Sequence, residues 1–351
     1  MSTVQSPPPG QPIVIYHQIS PLSRLWGWLG WLAFGMCLIA LLGAYSAYGD
    51  YLDEDKGIEE KYVSGSKTAD DKIAIIAISG VIMDGDGFVK KQIDRIRADK
   101  DVKAIVVRVD SPGGTVSGSD YIFHHLTQLR KDKNLPIVVS MGSMAASGGY
   151  YVAMAVGDQE NSIYAEPTTT TGSIGVIIPH YDLSGLLERF DVKDDSIATH
   201  ERKQMLSMTR PITPANRELI QAYVNESFER FKSIVKQGRP VFEKDESALD
   251  QLATGEIFSA QQALKHGLVD KIGFEEDAID RAIELANLDK KKVKVIEFDP
   301  PVDLLGSLGL SSLSAQSRQP FDAEMLLDLS TPRAYYLVTM LPTAAASWGA
   351  R

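Results

Sequence analysis

Continuous apolar runs alternate along the chain with segments whose apolar residues recur at helical spacing. Residues 73–80 (IAIIAISG) and 104–110 (AIVVRVD) are typical of buried strands, and residues 89–99 between them predict a helix. The alternation continues with a helix over 117–132, a strand over 136–141 and a helix that opens at 147–156. This order predicts an α/β fold in which helices cover a parallel-type sheet.

A long helix is predicted to begin at Thr213-Pro214. Threonine caps helices, and proline suits the first helical turn. The apolar residues that follow stripe one face of the predicted helix; they are Leu219, Ile220, Tyr223, Phe231, Ile234 and Val235.

The N-terminal part contains an uncharged stretch, residues 25–49, which is about as long as a helix needs to cross about 30 Å of hydrocarbon. Tryptophans lie near its start and tyrosines near its end, as at the two interfaces of a bilayer. The alternatives are a cleavable signal peptide, whose apolar part is usually shorter, and a buried core helix. We predict a transmembrane helix.

Charges beside this stretch predict its orientation. Arg24 precedes it, whereas Asp50, Asp53, Glu54 and Asp55 follow it. Positive charge favours the cytoplasmic side, so this pattern predicts a cytoplasmic N-terminus and a C-terminal body exported to the periplasmic side of the inner cell membrane.

The rest of the chain divides by composition. Residues 1–24, with PPPGQP, predict a disordered tail, and the polar residues 50–71 a juxtamembrane linker. The folded domain is predicted over 72–300. Residues 301–351 lose the strand and helix alternation and are predicted to be a C-terminal tail.

Charge and cysteine content exclude several classes of protein. With 36 Lys and Arg against 46 Asp and Glu, the net charge is −10, which argues against nucleic-acid binding. Cys37 is the only cysteine, so no intrachain disulfide and no cysteine metal site can form. No H-E-x-x-H pattern occurs, and we expect neither a metal nor a cofactor.

Two glycine-rich turns follow two successive predicted strands: DSPGGTVSGSD after 104–110 and MAASGGYY after 136–141. In the second turn, Ser147 has only alanine and glycine neighbours, and a helix is predicted to start directly after it. The free N–H groups of that helix start could stabilise an oxyanion at a carbonyl that Ser147 attacks. From spacing alone, a nucleophile and a simple tight connection are equally good interpretations.

No histidine stands out as a base for Ser147. His124, His125, His180, His200 and His266 lie in the folded domain without a partner motif. The G-x-S-x-G elbow is also missing, because Ala145 stands at its first glycine.

Four motifs in order carry a family resemblance: DSPGGTVSGSDYI, VVSMGSMAASGGYYVAMA, TTTTGSIGVI at 168–177 and GEIFSAQQALKHGLVDKIG at 255–273. They resemble the short form of the signal peptide peptidase A family of membrane-bound serine proteases. The resemblance implies a ClpP/crotonase-like fold of repeated ββα and βαβ units, so that residues 72–300 would be a peptidase domain.

The resemblance also implies a Ser–Lys dyad. The family serine falls on Ser147, and the family lysine on Lys203 of KQMLSMTRPIT, although the preceding ATHER departs from the family pattern. A serine that would orient the lysine falls on Ser173. The backbone donors of the oxyanion hole fall on Gly114 and Gly148.

A lysine base needs a lowered pKa. Its usual value of about 10.4 falls toward neutrality only when burial removes water from the amine. Lys203 must therefore be buried on assembly, beside Met205, Leu206 and Met208. The dyad segments are well separated in sequence, so we expect a neighbouring protomer to supply Lys203 in a homo-oligomer.

The resulting expectation is a membrane-tethered serine endopeptidase that cleaves signal-peptide remnants and other apolar peptides. Its expected partners are peptide substrates, the lipid bilayer and further copies of the chain, with no nucleic acid. Two alternatives remain: a crotonase-type acyl-CoA enzyme, and a catalytically inactive scaffold that binds peptides.

The C-terminal tail has two interpretations. Residues 305–320 are rich in Ser, Gly and Leu, and residues 334–350 are apolar. The tail either packs as a peripheral strand, or it enters the groove near Ser147 and limits activity until it is displaced or trimmed.

Overall fold

The computed structural model describes residues 21–52, 58–300 and 334–337. The helices are α1 (Pro21–Leu52), α2 (Phe88–Ala98), α3 (Val116–Lys133), α4 (Gly148–Ala153), α5 (Ser184–Arg189), α6 (Pro214–Gly238), α7 (Val241–Lys244), α8 (Glu246–Leu252), α9 (Ala260–Lys265) and α10 (Glu275–Leu285). Short 3₁₀ helices span Met154–Val156, Glu201–Gln204 and Lys290–Lys292.

The strands are β1 (Glu59–Gly65), β2 (Lys72–Ser79), β3 (Val102–Ser111), β4 (Gly113–Thr115), β5 (Ile137–Ala146), β6 (Ile163–Ala165), β7 (Thr170–Gly172), β8 (Ile257–Ser259), β9 (Lys271–Ile272), β10 (Lys294–Asp299) and β11 (Tyr335–Leu337). Those of the main sheet lie in the order β1-β10-β2-β3-β5-β6-β9, with β7 paired to β5 and β8 to β7. Only the β1–β10 and β7–β8 pairs are antiparallel among the described pairs of this sheet.

Both faces of the sheet are buried, which explains the continuous apolar runs. On β2, Ile73 and Ile75 face the core formed with α10, whereas Ala74, Ile76 and Ile78 face the larger core formed with α3, α4 and α6. Side chains alternate across a strand, so a strand covered on both faces must be apolar at every position. The predicted α/β fold with a central, mostly parallel sheet is confirmed.

The predicted start of the long helix is observed at α6. The Thr213 hydroxyl accepts a hydrogen bond from the backbone N–H of Asn216, and Pro214 occupies the first helical turn. The predicted stripe is divided: Phe231, Ile234 and Val235 are buried, whereas Leu219 and Tyr223 are exposed.

Helix α1 contains an apolar segment, Trp28–Tyr45, with a mean hydropathy of 1.8, and none of it is buried inside the protein. The segment is long and apolar enough to cross a membrane. Trp28 and Trp31 expose 77% and 75% of their surface, so the helix presents large apolar side chains outward.

Two boundaries differ from the sequence prediction. Helix α1 includes Pro21–Arg24, which we assigned to the tail, and runs to Leu52; residues 1–20 lie outside the described part. The predicted linker contains β1, which pairs with β10 at the edge of the sheet. Most β1 side chains are exposed, so the strand lacks the apolar pattern that reveals a buried one.

Candidate active site

Ser147 lies where β5 ends and α4 begins. Strand β5 runs past its pairing with β6, and its last residues, Met144–Ala146, pair with β7. The backbone N–H of Ser147 then donates to the carbonyl of Gly172, at 2.8 Å. The end of one parallel strand and its neighbour thus fix the position of the serine backbone.

The backbone of Ser147 is strained, with φ 54° and ψ −113°. A non-glycine residue in such a conformation costs roughly 1–3 kcal/mol and persists only where its surroundings impose it. Residues of this kind cluster at active sites, because the strain aims a side chain that a relaxed turn would place elsewhere.

The Ser147 side chain is also buried without a hydrogen-bond partner. The residue is 1% exposed, its hydroxyl does not cap α4, and Oγ has no partner among the described residues. A buried polar group left unpaired costs about 1–3 kcal/mol. Strain and an unpaired hydroxyl therefore coincide at one residue, which marks Ser147 as a functional candidate rather than a simple turn residue.

The two glycine-rich turns meet at this point. Strands β3 and β5 are parallel neighbours, with Ser111 opposite Ala145, so the turns that follow them lie side by side. A Cβ atom on Gly148 would lie 3.1 Å from the backbone nitrogen of Gly114. The Gly148 N–H belongs to the first residue of α4 and has no carbonyl of a preceding turn to bond. The predicted oxyanion donors are thus brought together next to Ser147.

Ser173 also lies close, because it follows Gly172, whose carbonyl accepts the N–H of Ser147. Ser173 is buried and has φ 50°, and its own N–H donates to the carbonyl of Glu256. The structure therefore places four of the five predicted residues in one place: Ser147, Ser173, Gly114 and Gly148.

Lys203 does not join this group within the chain. It lies exposed in the 3₁₀ helix Glu201–Gln204, and the Ser147 Oγ atom has no partner in the described chain. Met205, Leu206 and Met208 are only partly buried around it. The expected burial of Lys203 is therefore absent in a single copy.

The segment 178–212 that carries Lys203 is organised mainly by its own contacts. Leu183 N–H donates to the Met208 carbonyl, and Arg210 pairs with Asp194 at 2.9 Å. Hydrogen bonds from Ser196 and Thr209 hold the pKa of the Asp194 carboxyl below its usual range. Segment 178–212 nevertheless exposes large apolar side chains, among them Tyr181, Phe190 and Ile197.

The sequence did not reveal an aromatic pocket beside the site. It is lined by Tyr151 of α4 and Phe231 of α6, and the ring of Tyr336 from β11 fills it. Tyr151 follows the serine motif directly, but no local pattern links it to Phe231 or Tyr336.

Comparison with known proteins identifies the class of this site. The model of the family described as Peptidase family S49 matches residues 129–289, which include Ser147, Ser173 and Lys203. The Synechocystis sp. protein slr0021, which carries the name of a protease, is 38% identical over 237 residues; these cover 68% of this chain and 82% of the relative.

Two further relatives are longer than the matched region. The Enterococcus faecium protein that carries the name signal peptide peptidase SppA is 36% identical over 60% of this chain and 62% of its own length. Protease 4 of Salmonella typhi is 34% identical over 66% of this chain and 37% of its own length. The chain belongs to peptidase family S49, and its resemblance to signal peptide peptidase A is confirmed. It is thus a serine protease with a ClpP-like α/β fold.

We expect Gly114→Ala to reduce peptide hydrolysis at least about 100-fold, as removal of an oxyanion donor does. A Cβ atom there would lie 1.8 Å from the carbonyl oxygen of Ile82, so β4 would have to move and carry the Gly114 N–H with it. Gly87→Ala is the control, since its Cβ would meet nothing within 4 Å. Comparing kcat/KM of the two variants measures the effect, and equal activity would remove Gly114 from the oxyanion hole.

Proposed function

We propose that this protein is a membrane-tethered serine endopeptidase that uses a Ser147–Lys203 dyad to cleave apolar peptides such as signal-peptide remnants. The observation that carries the proposal is the unpaired Ser147 hydroxyl on a strained backbone, in the place where the turns of Gly114 and Gly148 meet. Family membership favours hydrolysis of peptides over the acyl-CoA chemistry of crotonases.

The proposed reaction begins when Ser147 Oγ attacks the scissile carbonyl and loses its proton to a neutral Lys203 amine. The Gly114 and Gly148 N–H groups stabilise the oxyanion of the tetrahedral intermediate. The leaving amine takes the proton from Lys203, and an acyl ester remains on Ser147. Water, deprotonated by Lys203, then hydrolyses the ester. Ser173 is proposed to hold Lys203 by a hydrogen bond.

Assembly is part of the proposal. Lys203 lies on a segment that exposes the large apolar side chains of Tyr181, Phe190 and Ile197, and such exposure suits a contact surface. A second copy that covers this segment would bury Lys203 and lower the pKa of its amine, as a base requires. We therefore propose that the neighbouring protomer completes each site.

Membrane tethering would bring the proposed apolar substrates close to the active site. The apolar segment Trp28–Tyr45 of α1 is proposed to span the inner membrane, with the peptidase domain on the periplasmic side. An enzyme held at the bilayer meets apolar peptides where they leave it.

A serine-reactive fluorophosphonate probe tests the proposal directly. It should label the full chain in detergent once per active site, and peptide mapping should place the label on Ser147. An apolar peptide should be hydrolysed faster than a polar peptide of equal length. A protein that binds the apolar peptide but neither hydrolyses it nor takes the label would be a scaffold.

We expect EDTA to leave the rate of peptide hydrolysis unchanged. The proposed nucleophile is a serine activated by lysine, and the sequence carries no H-E-x-x-H or cysteine-ligand pattern. Initial rates before and after incubation with the chelator measure this. Inhibition that zinc reverses would contradict the serine mechanism.

A further inference from the structure

Strand β5 is irregular shortly before Ser147. Its pairing with β3 is regular up to Met141 and resumes at Ala145. Over this interval β3 has only Asp110 to oppose residues 142–144 of β5. Extra residues on one strand form a β-bulge, which bends that strand and re-aims the side chains that follow it. We refer to residues 142–144 as the bulge.

The bulge is also the place where β5 changes its neighbour on the other side. Up to Met141 the strand pairs with β6, and from Met144 onward it pairs with β7. Ser147 follows Met144 after only two more residues. The course of β5 through the bulge therefore sets where the serine lies.

Asp110 holds the bulge from β3. Its Oδ1 atom accepts a hydrogen bond from the Ser143 hydroxyl at 2.6 Å and another from the Met144 backbone N–H at 3.1 Å. A Cβ atom on Gly142 would lie 3.1 Å from the Asp110 carboxyl carbon, so this side chain also packs closely on the first residue of the bulge. One carboxylate thus reaches all three residues.

The threonine run of the TTTTGSIGVI motif holds the same part of β5 from the other side. Alternate threonines of the run, Thr169 and Thr171, are buried. The Thr169 hydroxyl donates to the Gly142 carbonyl, and the Thr171 hydroxyl donates to the Ala145 carbonyl, both at 2.6 Å. The bulge and the residue after it are therefore bonded from two sides.

The backbone of Ser147 is fixed at both of its ends. Its N–H donates to the carbonyl of Gly172, which directly follows Thr171, and its carbonyl accepts the N–H of Tyr151 at 2.9 Å. The bonds from Thr171 and to Gly172 fix the chain on either side of Ala146. Backbone strain persists only where surrounding contacts over-determine it, and these contacts meet that condition at Ser147.

We propose that Asp110 and Thr171 are positioning residues of the peptidase: they fix the bulged end of β5 from two sides and thereby impose the backbone conformation that aims Ser147 Oγ at the scissile carbonyl. This inference rests on the proposed function, because it concerns the same nucleophile. Both residues act through the backbone of β5. The threonine run thus gains a role that no step of the reaction gives it.

The Thr171→Val variant tests this role, because it keeps the shape of the side chain and removes the hydroxyl. We expect kcat to fall about 10- to 100-fold, since a displacement of a reacting group by about 1 Å can cost about 100-fold in rate. KM should stay nearly unchanged, because no contact with the substrate is lost. Thr171→Ser, which retains the hydroxyl, should recover most of the lost rate. Steady-state kinetics on an apolar peptide measure both constants.

Thr170→Val is the matched control. Thr170 is the neighbour of Thr171 on β7, is half-buried, and directs its side chain to the opposite face of the strand. Its kcat should stay close to wild type. A kcat of Thr171→Val equal to that of Thr170→Val, or a rise in KM without a loss of kcat, would overturn the proposal.

Two variants of Asp110 test the same role from the other strand. Asp110→Ala removes both hydrogen bonds to the bulge, whereas Asp110→Asn keeps an oxygen that can accept them. We expect Asp110→Ala to lose about as much kcat as Thr171→Val, and Asp110→Asn to keep most of it. This pair decides the question if Thr171→Val does not fold. Wild-type kcat in Asp110→Ala, or equal losses in both Asp110 variants, would contradict the proposal.

Thermal unfolding separates this inference from the proposed function. Ser147→Gly should unfold about 2–4 °C higher than Ser147→Ala, because glycine adopts a positive φ without strain. In the Thr171→Val and Asp110→Ala backgrounds the difference should shrink, because the turn can relax. If no variant hydrolyses a peptide but this pattern holds, the proposed function fails and the positioning roles survive. An equal difference in all backgrounds would overturn the positioning roles and leave the peptidase standing.

Discussion

We expect Ser147→Ala to reduce peptide hydrolysis by about 10⁴-fold or more, the loss typical of a missing nucleophile. The fold should remain intact, because the hydroxyl is small and has no hydrogen-bond partner to lose. Removing an unpaired buried hydroxyl relieves a cost of about 1–3 kcal/mol, so the free energy of unfolding should stay equal or rise. Steady-state kinetics and thermal unfolding measure the two effects.

Ser140→Ala is the matched control for this variant. Ser140 lies buried on the same strand, β5, but its hydroxyl accepts a hydrogen bond from Arg108 at 2.8 Å. Its loss should lower stability by about 1 kcal/mol and leave hydrolysis nearly unchanged. Hydrolysis retained by Ser147→Ala would move the nucleophile elsewhere and exclude the proposed mechanism.

A second large loss of peptide hydrolysis is expected when Lys203 is replaced. Lys203→Ala should be inactive, because no other group is proposed to take the proton from Ser147. Lys203→Arg should be inactive as well, since a guanidinium does not deprotonate at a useful pH. Arg202→Ala is the control: Arg202 is the adjacent exposed cation, and its loss should leave kcat/KM close to wild type.

Mixing the two inactive proteins tests whether the dyad is shared between protomers. In a ring where each Ser147 meets the Lys203 of its neighbour, an equal mixture of Ser147→Ala and Lys203→Ala restores about a quarter of the sites. The mixed oligomers are verified by native mass spectrometry before the rates are measured.

Absence of recovery in verified mixed oligomers would place both dyad residues in one chain. Wild-type activity in Lys203→Ala would assign the base elsewhere, with His200 and His180 as the next residues to replace. His180 already contacts the Ser207 carbonyl at 3.3 Å in the segment that carries Lys203.

Local pattern predicted the elements that carry the serine. The apolar runs of β2, β3 and β5 required burial on both faces, and parallel strands bring their carboxyl ends to one edge. That geometry alone accounts for the meeting of the turns at Gly114 and Gly148. The family motifs assigned the role of nucleophile to Ser147 and of oxyanion donors to Gly114 and Gly148. Spacing alone had left open whether Ser147 is a nucleophile or part of a tight connection.

Local pattern missed strand β1, and it left the peripheral strand of the tail as one of two interpretations without locating it, for the same physical reason. Strand β1 is polar because it lies at an edge and buries little, so its sequence resembles a linker. Strand β11 is short, and its one informative residue, Tyr336, is buried by residues far away in the sequence. Neither strand therefore shows the periodic apolar pattern by which a strand is predicted from sequence.

By itself, the sequence determined the α/β body, the apolar N-terminal helix and the serine at the end of a strand, because burial and turn chemistry act over a few neighbouring residues. Only the tertiary structure decided that the Ser147 backbone is strained and its hydroxyl unpaired among the described residues, that Tyr336 fills an aromatic pocket beside the site, and that Lys203 stays exposed in a single chain. Each of these depends on contacts between residues distant in the chain, which no local pattern specifies.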